Sequence, residues 1–97
     1  MRRLYRFLFE AQRMGVLEGL FLATEEQMRE MIDSKVEIYF GEVLGKHSEI
    51  YGEIEDNEIT DLKASPHLIE ELEKHFKEGN EGTVTICGYN PFDYLGE

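Results

Sequence analysis

Apolar and polar residues alternate along several stretches of the chain, a pattern typical of strands with one buried face. Residues 3–10 fit two structures, because Leu4, Phe7 and Leu8 also lie on one helical stripe. The next segment, VLEGLFLAT (residues 16–24), is strand-like and needs a neighbour, which favours a β-hairpin that turns at Gly15. Three further alternating segments, around residues 35–44, 48–55 and 58–62, predict a meander with a two-residue turn at Asp56-Asn57.

Two helices are indicated by their start signals. Thr24 followed three residues later by Gln27 forms a capping box, which predicts a helix over residues 25–33. Ser65 followed by Pro66 is typical of an N-cap and a first helical position, so a second helix begins there and is expected to end at Gly79 or Asn80. The residues expected to face the core are Met28, Met31 and Ile32 in the first helix, and Leu68, Ile69, Leu72 and Phe76 in the second.

The remaining elements complete a single domain over residues 1–97. The β-branched segment TVTIC (residues 83–87) predicts a last strand, and Asn90 is placed to cap one helical turn that begins at Pro91. The predicted order is therefore ββα-βββ-αβ. This order indicates an α+β fold, with a mostly antiparallel sheet and two helices packed on one face.

The segment GEVLGKHSEIYG (residues 41–52) concentrates the residues of chemical interest. A two-residue turn at Gly45-Lys46 would set Glu42 opposite Glu49, and like charges in that position repel. A three-residue loop instead pairs Phe40 with Gly52 and Ile38 with Ile54, which makes one coherent apolar face. We therefore expect the second register, in which Tyr51 covers Gly41.

This register places Glu42 on the apolar face, where a carboxylate is not expected. Either it lies at a solvated sheet edge, or it has a partner and contributes to a ligand contact. Adjacent strand residues point to opposite faces, so Ser48 and Glu49 cannot converge on a catalytic centre with His47. No catalytic residue is therefore predicted. The candidate ligand- or partner-binding residues are Glu42, Lys46, His47, Ser48, Glu49 and Tyr51.

His67, Glu71 and His75 recur at a spacing of four residues on the second helix, a spacing that could hold a metal ion. The set spans two full turns and begins at the fraying end of the helix, so a solvated polar stripe is the better interpretation. We expect no metal and no cofactor. The single cysteine, Cys87, permits no intrachain disulfide and suits a reducing compartment.

The net charge is −11, and the arginines are unevenly placed because Arg2, Arg3, Arg6 and Arg13 all fall near the start. An acidic body repels phosphates, so direct nucleic-acid binding is not expected. No apolar run approaches the roughly 20 residues of a membrane-spanning helix. These features predict a cytoplasmic protein without membrane contact. Pairing of the basic first strand with an acidic patch of a second copy predicts a homodimer.

The string FGEVLGKHSE (residues 40–49), within VEIYFGEVLGKHSEIYGEIEDNEIT, resembles a group of small uncharacterised proteins of tailed-phage and prokaryotic genomes. The resemblance extends over most of the chain after Val16, including GLFLATEEQ and GYNPFDYL. No established activity belongs to that group, so the resemblance implies no catalytic residue. It implies a small accessory or host-interaction protein.

Three hypotheses on function follow. The first is a non-enzymatic binding protein that contacts a protein partner or a small polar ligand, for example a phage-encoded inhibitor of a host protein or a protein that sequesters a ligand. The second is a small hydrolase-like enzyme that uses His47 as a base, oriented by Glu42 or Glu49. The third is an acidic decoy for a nucleic-acid-binding protein. We favour the first.

Overall fold

The structure is a computed structural model that describes residues 1–10, 15–41 and 50–95. The predicted order of elements, ββα-βββ-αβ, the α+β class and the mostly antiparallel sheet are confirmed. Short 3-10 turns occupy Asp56–Glu58, Asn80–Gly82 and Pro91–Tyr94. The main elements are β1 (Arg2–Glu10), β2 (Val16–Thr24), α1 (Glu25–Ser34), β3 (Glu37–Gly41), β4 (Ile50–Glu53), β5 (Ile59–Asp61), α2 (Pro66–His75) and β6 (Val84–Gly88).

The strands form two sheets, and the predicted three-stranded meander is wrong. One sheet has the order β5-β1-β2-β6, and β3 pairs with β4 in a separate two-stranded sheet. β5 pairs with β1, setting Tyr5 opposite Asp61, instead of continuing from β4. The expected tight turn at Asp56-Asn57 is a 3-10 turn, capped by a hydrogen bond from Glu55 N to the Glu58 carboxylate (2.8 Å). This turn directs the chain away from β4.

The two helices lie on opposite faces of the four-stranded sheet, which corrects the prediction that both pack on one face. Met28 and Met31 of α1 pack in one apolar cluster with Phe7 and Phe21, whereas Ile69 of α2 packs in another. The physical reason is that the central strands are apolar on both faces, so each face needs a cover. The second cluster joins Leu4, Leu22, Ile69 and Val84.

Both helix starts are confirmed. The Thr24 hydroxyl accepts a hydrogen bond from Gln27 N (3.1 Å), and Thr24 N donates to the Gln27 side chain (2.9 Å). At α2, Ser65 accepts from Leu68 N (3.2 Å). These bonds satisfy backbone donors that a helix leaves unpaired at its first turn.

Helix α2 ends at His75, earlier than predicted, and its core face is narrower. Ile69 is buried, but Leu68 is 45% exposed and Phe76 is 36% exposed, so their assignment to the core is wrong. Phe76 follows the end of the helix, where the backbone becomes extended, and no helical periodicity carries its ring inward.

The arginines of β1 form ion pairs with acidic residues of the same chain. Arg2 binds Glu73 (2.5 Å) and also Glu78, and its Nε donates to the Gly82 carbonyl (2.9 Å). The hydrogen bond with Glu73 and the charge of Glu78 raise the pKa of Arg2, against the opposing effect of burial. Arg3 pairs with Asp61 (2.8 Å) and Arg6 with Glu18 (2.5 Å). The charge asymmetry that motivated a homodimer is therefore met by intramolecular pairs, and the dimer stays a prediction without that support.

Arg2→Gln is expected to lower the free energy of unfolding by about 1–2 kcal/mol, because it removes two ion pairs and a carbonyl contact that join β1 to α2 and to the following turn. Arg29→Gln is the control. Among the described residues, Arg29 forms an ion pair only with Asp56, at 3.8 Å, and its side chain is 62% exposed. This variant should change stability by no more than about 0.5 kcal/mol. Urea denaturation of both variants measures the difference. Equal effects would show that Arg2 does not secure α2.

Candidate functional site

Most of the predicted site lies outside the described residues. Glu42, Lys46, His47, Ser48 and Glu49 belong to the segment between β3 and β4 in the sequence. Tyr51 is described, on β4. The part of the site that can be built from the structure is therefore the β3–β4 hairpin that flanks this segment.

The inner face of the β3–β4 hairpin is fixed to the core. Ile38, Phe40, Ile50 and Ile54 are all buried, as their alternation predicts. The Phe40 ring packs 5.9 Å from the ring of Phe7 and 4.8 Å from that of Tyr94, measured between centroids. Burial on this scale contributes about 1.5–3 kcal/mol for each large apolar side chain. The hairpin is thus a supported platform whose other face is turned outward.

The pairing register differs from the one preferred on sequence grounds. Ile38 lies opposite Gly52, not Ile54, and Tyr51 lies opposite Tyr39, not over Gly41. The register then shifts by one residue before Gly41 meets Ile50. The reason is the ring of Phe9 in β1: a Cβ atom at position 52 would lie 3.0 Å from Phe9 Cζ, so a glycine opposite Ile38 leaves room for this aromatic side chain. The register of β3 and β4 therefore depends on β1, which is distant from both in the sequence.

The outward face of the hairpin presents two cross-strand pairs. Tyr39 lies directly opposite Tyr51, and Glu37 lies directly opposite Glu53. Tyr39 is 45% exposed and Tyr51 is 57% exposed. Directly opposed side chains in an antiparallel pair lie about 4.5–5.5 Å apart at Cβ and share one face. We call Glu37, Tyr39, Tyr51 and Glu53 the Tyr–Glu face.

The sequence predicted part of this face. Alternation with Ile50 and Ile54 predicts that Tyr51 and Glu53 lie on the outer side of their strand, and this is confirmed by their exposure. Tyr39 and Glu37 were missed as site residues, although they alternate with the buried Ile38 and Phe40. The available signal was the repeated tripeptide Glu-Ile-Tyr, at residues 37–39 and 49–51. The strand register places Tyr39 opposite Tyr51.

Other chemically interesting groups do not assemble into a site. His67, Glu71 and His75 are not deeply buried, and His75 Nε2 approaches Glu71 only to 4.0 Å. Within the described ranges, no group of three or more His, Cys, Asp or Glu side chains is placed to hold a metal ion. Burial raises the pKa of Glu58, but this carboxylate is engaged in capping the turn at Asp56–Glu58. Its role is structural.

A cleft of about 490 Å³ lies beside the start of β1, where Arg2 and Arg3 border it together with Pro66 and Ile69. Both arginines are occupied by the carboxylates described above, so neither offers an uncompensated charge to an anion. Cys87 is exposed at the end of β6. Neither described helix is long and apolar enough to cross a membrane.

Comparison of the chain with protein-family models, with curated proteins and with solved structures gave no match. Functional assignment therefore rests on the geometry of the Tyr–Glu face and on the chemistry of its residues.

Proposed function

We propose that this protein is a non-enzymatic binding protein that holds a protein partner on the Tyr–Glu face. The observation that carries the proposal is the exposed cross-strand pair of Tyr39 and Tyr51 on a hairpin whose other face is buried. Single exposed aromatic residues are common on protein surfaces. Two directly opposed tyrosines place two aromatic side chains on one exposed face, and tyrosine is enriched among the residues that dominate binding at interfaces.

The support beneath the tyrosines strengthens this proposal. A side chain loses conformational freedom when it is immobilised in a complex, and tyrosine loses little because it has two rotatable torsions. The backbone beneath it is held by Ile38, Phe40 and Ile50, which are buried in the core. Little ordering is therefore required on binding. An inhibitor of a host protein, the form suggested by the resemblance of FGEVLGKHSE, would be one instance of such a binder.

The test is a selection of a random peptide library on the immobilised protein, followed by affinity measurements on purified peptides by isothermal titration calorimetry. We expect Tyr39→Ser/Tyr51→Ser to weaken binding of the selected peptides by about tenfold or more, since hot-spot tyrosines commonly contribute over 1 kcal/mol each. Circular dichroism of the variant checks that the fold is retained.

The matched control is Leu68→Ser/Phe76→Ser, which removes two exposed apolar side chains from α2 and from the residue that follows it. This variant should bind the peptides as the wild-type protein does. Peptides that bind Tyr39→Ser/Tyr51→Ser as tightly as wild type would refute the proposed surface. A loss of binding in the α2 control alone would assign the function to the opposite side of the molecule.

A further inference from the structure

The glutamates of the Tyr–Glu face carry an unbalanced charge. Glu37 and Glu53 are directly opposite each other, and like charges in this position destabilise an antiparallel pair. Neither carboxylate forms an ion pair with any described residue, whereas Glu18, Asp61 and Glu73 each pair with an arginine. The fold thus pairs several acidic groups with arginines but leaves these two, among other carboxylates, facing solvent, and these two lie beside the tyrosines.

The surroundings of the face are also acidic. Glu55 and Asp56 follow β4 after Ile54, and Arg29 approaches Asp56 at 3.8 Å. Within residues 35–41 and 50–56, Lys35 is the sole lysine or arginine. The net charge of the whole chain, −11, has the same sign. A partner segment that docks here and carries positive charge would relieve repulsion, while an acidic segment or a nucleic acid would add to it.

We propose that the Tyr–Glu face binds an arginine side chain presented by an extended, basic segment of the partner protein; this inference rests on the proposed function and names its partner class. An arginine guanidinium is a planar fork whose donors can reach two carboxylates, and its face stacks on an aromatic ring. Two glutamates whose Cβ atoms lie about 5 Å apart, one cross-strand pair along the same face from the two tyrosines, offer both kinds of contact at once. A lysine ammonium provides a point charge without the planar stacking surface.

The arrangement therefore discriminates among cations by shape as well as by charge. Ion pairing alone would make arginine and lysine equivalent and would fall steeply with salt. Stacking on Tyr39 and Tyr51 adds a contribution that depends on the planar group and is less sensitive to salt. We expect a basic segment to lie along the hairpin, with one guanidinium between Glu37 and Glu53 and its plane against an adjacent ring.

The experiment uses a synthetic peptide of alternating arginine and serine, together with lysine and citrulline versions of the same peptide. Titration into the isotopically labelled full chain, followed by nuclear magnetic resonance, gives both the affinity and the location of binding. We expect shift changes centred on residues 37–39 and 51–53. The lysine peptide should bind about threefold to tenfold more weakly than the arginine peptide, and the citrulline peptide should not bind measurably.

Glu37→Gln/Glu53→Gln should weaken binding of the arginine peptide by about fivefold to tenfold, because each exposed carboxylate contributes modestly. The control is Glu26→Gln/Glu30→Gln, which removes the same charge from two exposed positions one turn apart on α1. It tests whether the net negative charge alone attracts the peptide. This control should retain nearly all of the affinity.

Equal losses in the two double variants, or shift changes spread evenly over the acidic surface, would overturn the inference and leave general charge attraction. Equal affinity for arginine and lysine peptides would also overturn it. The proposed function fails separately, through library-selected peptides that bind without Tyr39 and Tyr51. Selected peptides that require the tyrosines but contain no basic residue would preserve the function and refute the arginine partner.

Discussion

Gly19→Ala is expected to lower the free energy of unfolding by about 3 kcal/mol, and the melting temperature by roughly 12–24 °C for a chain of this size. A Cβ atom at position 19 would lie 2.5 Å from the backbone nitrogen of Tyr89 and closer still to its carbonyl oxygen. These are main-chain atoms of the segment that crosses β2, so they cannot rotate aside as a side chain can. Thermal unfolding followed by circular dichroism measures the loss.

The close approach has a second requirement at Gly88, which lies opposite Gly19. Gly88 has φ of 69°, and a Cβ atom there would collide with the carbonyl oxygen of Glu18. The control is Val16→Ala, a 48% exposed position at the start of β2, the same strand as Gly19. It should cost no more than about 0.5 kcal/mol. Equal stability of the two alanine variants would show that the backbone of Tyr89 does not pack closely against Gly19.

Local sequence signals predicted the elements of this fold better than their arrangement. Thr24 with Gln27, and Ser65 with Pro66, mark helix starts. The capping hydrogen bonds join residues three apart in the sequence, so the local sequence contains both partners. The face on which each helix packs is a long-range property. Leu4 and Tyr5 are neighbours in β1, yet they belong to clusters on opposite faces, and only assembly of the sheet shows that both faces need cover.

The candidate site shows the same division. Alternation placed Tyr51 and Glu53 outward, because the period of two is a local rule. The cross-strand partners were misjudged, because the register depends on Phe9, which is distant in sequence and takes the space that Gly52 leaves open. With Gly52 opposite Ile38, Tyr39 lies opposite Tyr51 and Glu37 lies opposite Glu53. A register two residues away would have separated both pairs.

The second large effect concerns Asn90, which is 1% exposed and anchors the segment after β6. Its amide nitrogen donates to the hydroxyls of Thr83 and Thr85, both at 3.0 Å, and its oxygen accepts from Phe92 N at 3.0 Å. This cap was predicted from the sequence and is confirmed. It holds Phe92 against Phe21 and leads to Tyr94, which packs on Phe40 beneath the Tyr–Glu face. Asn90 therefore supports the hairpin from a distance.

Asn90→Ala removes all three hydrogen bonds and should lower the free energy of unfolding by about 3 kcal/mol. Asn90→Asp keeps the acceptor for Phe92 N but loses both donated bonds. The Thr83 hydroxyl already donates to the Asn80 carbonyl (2.7 Å) and the Thr85 hydroxyl to Asp93 (3.1 Å), so neither proton is left for a carboxylate. Urea denaturation at several pH values should separate the two variants.

The aspartate variant should have a pH dependence that the alanine variant lacks. Burial with only one remaining donor, the Phe92 N–H, and the nearby Asp93 carboxylate raise the pKa of the new carboxyl in the folded state above its unfolded value of about 3.9. Below that unfolded value the group is protonated in both states and donates one hydrogen bond. As the pH rises through the folded-state pKa, the carboxylate ionises more readily in the unfolded chain, so stability is lost relative to wild type. Asn57→Asp, at an exposed position, is the control and should show no such trend from about pH 4 to pH 8. An Asn90→Asp penalty that is constant over this range would show that folding does not raise the pKa of this carboxyl, and would contradict a water-excluded setting for Asn90.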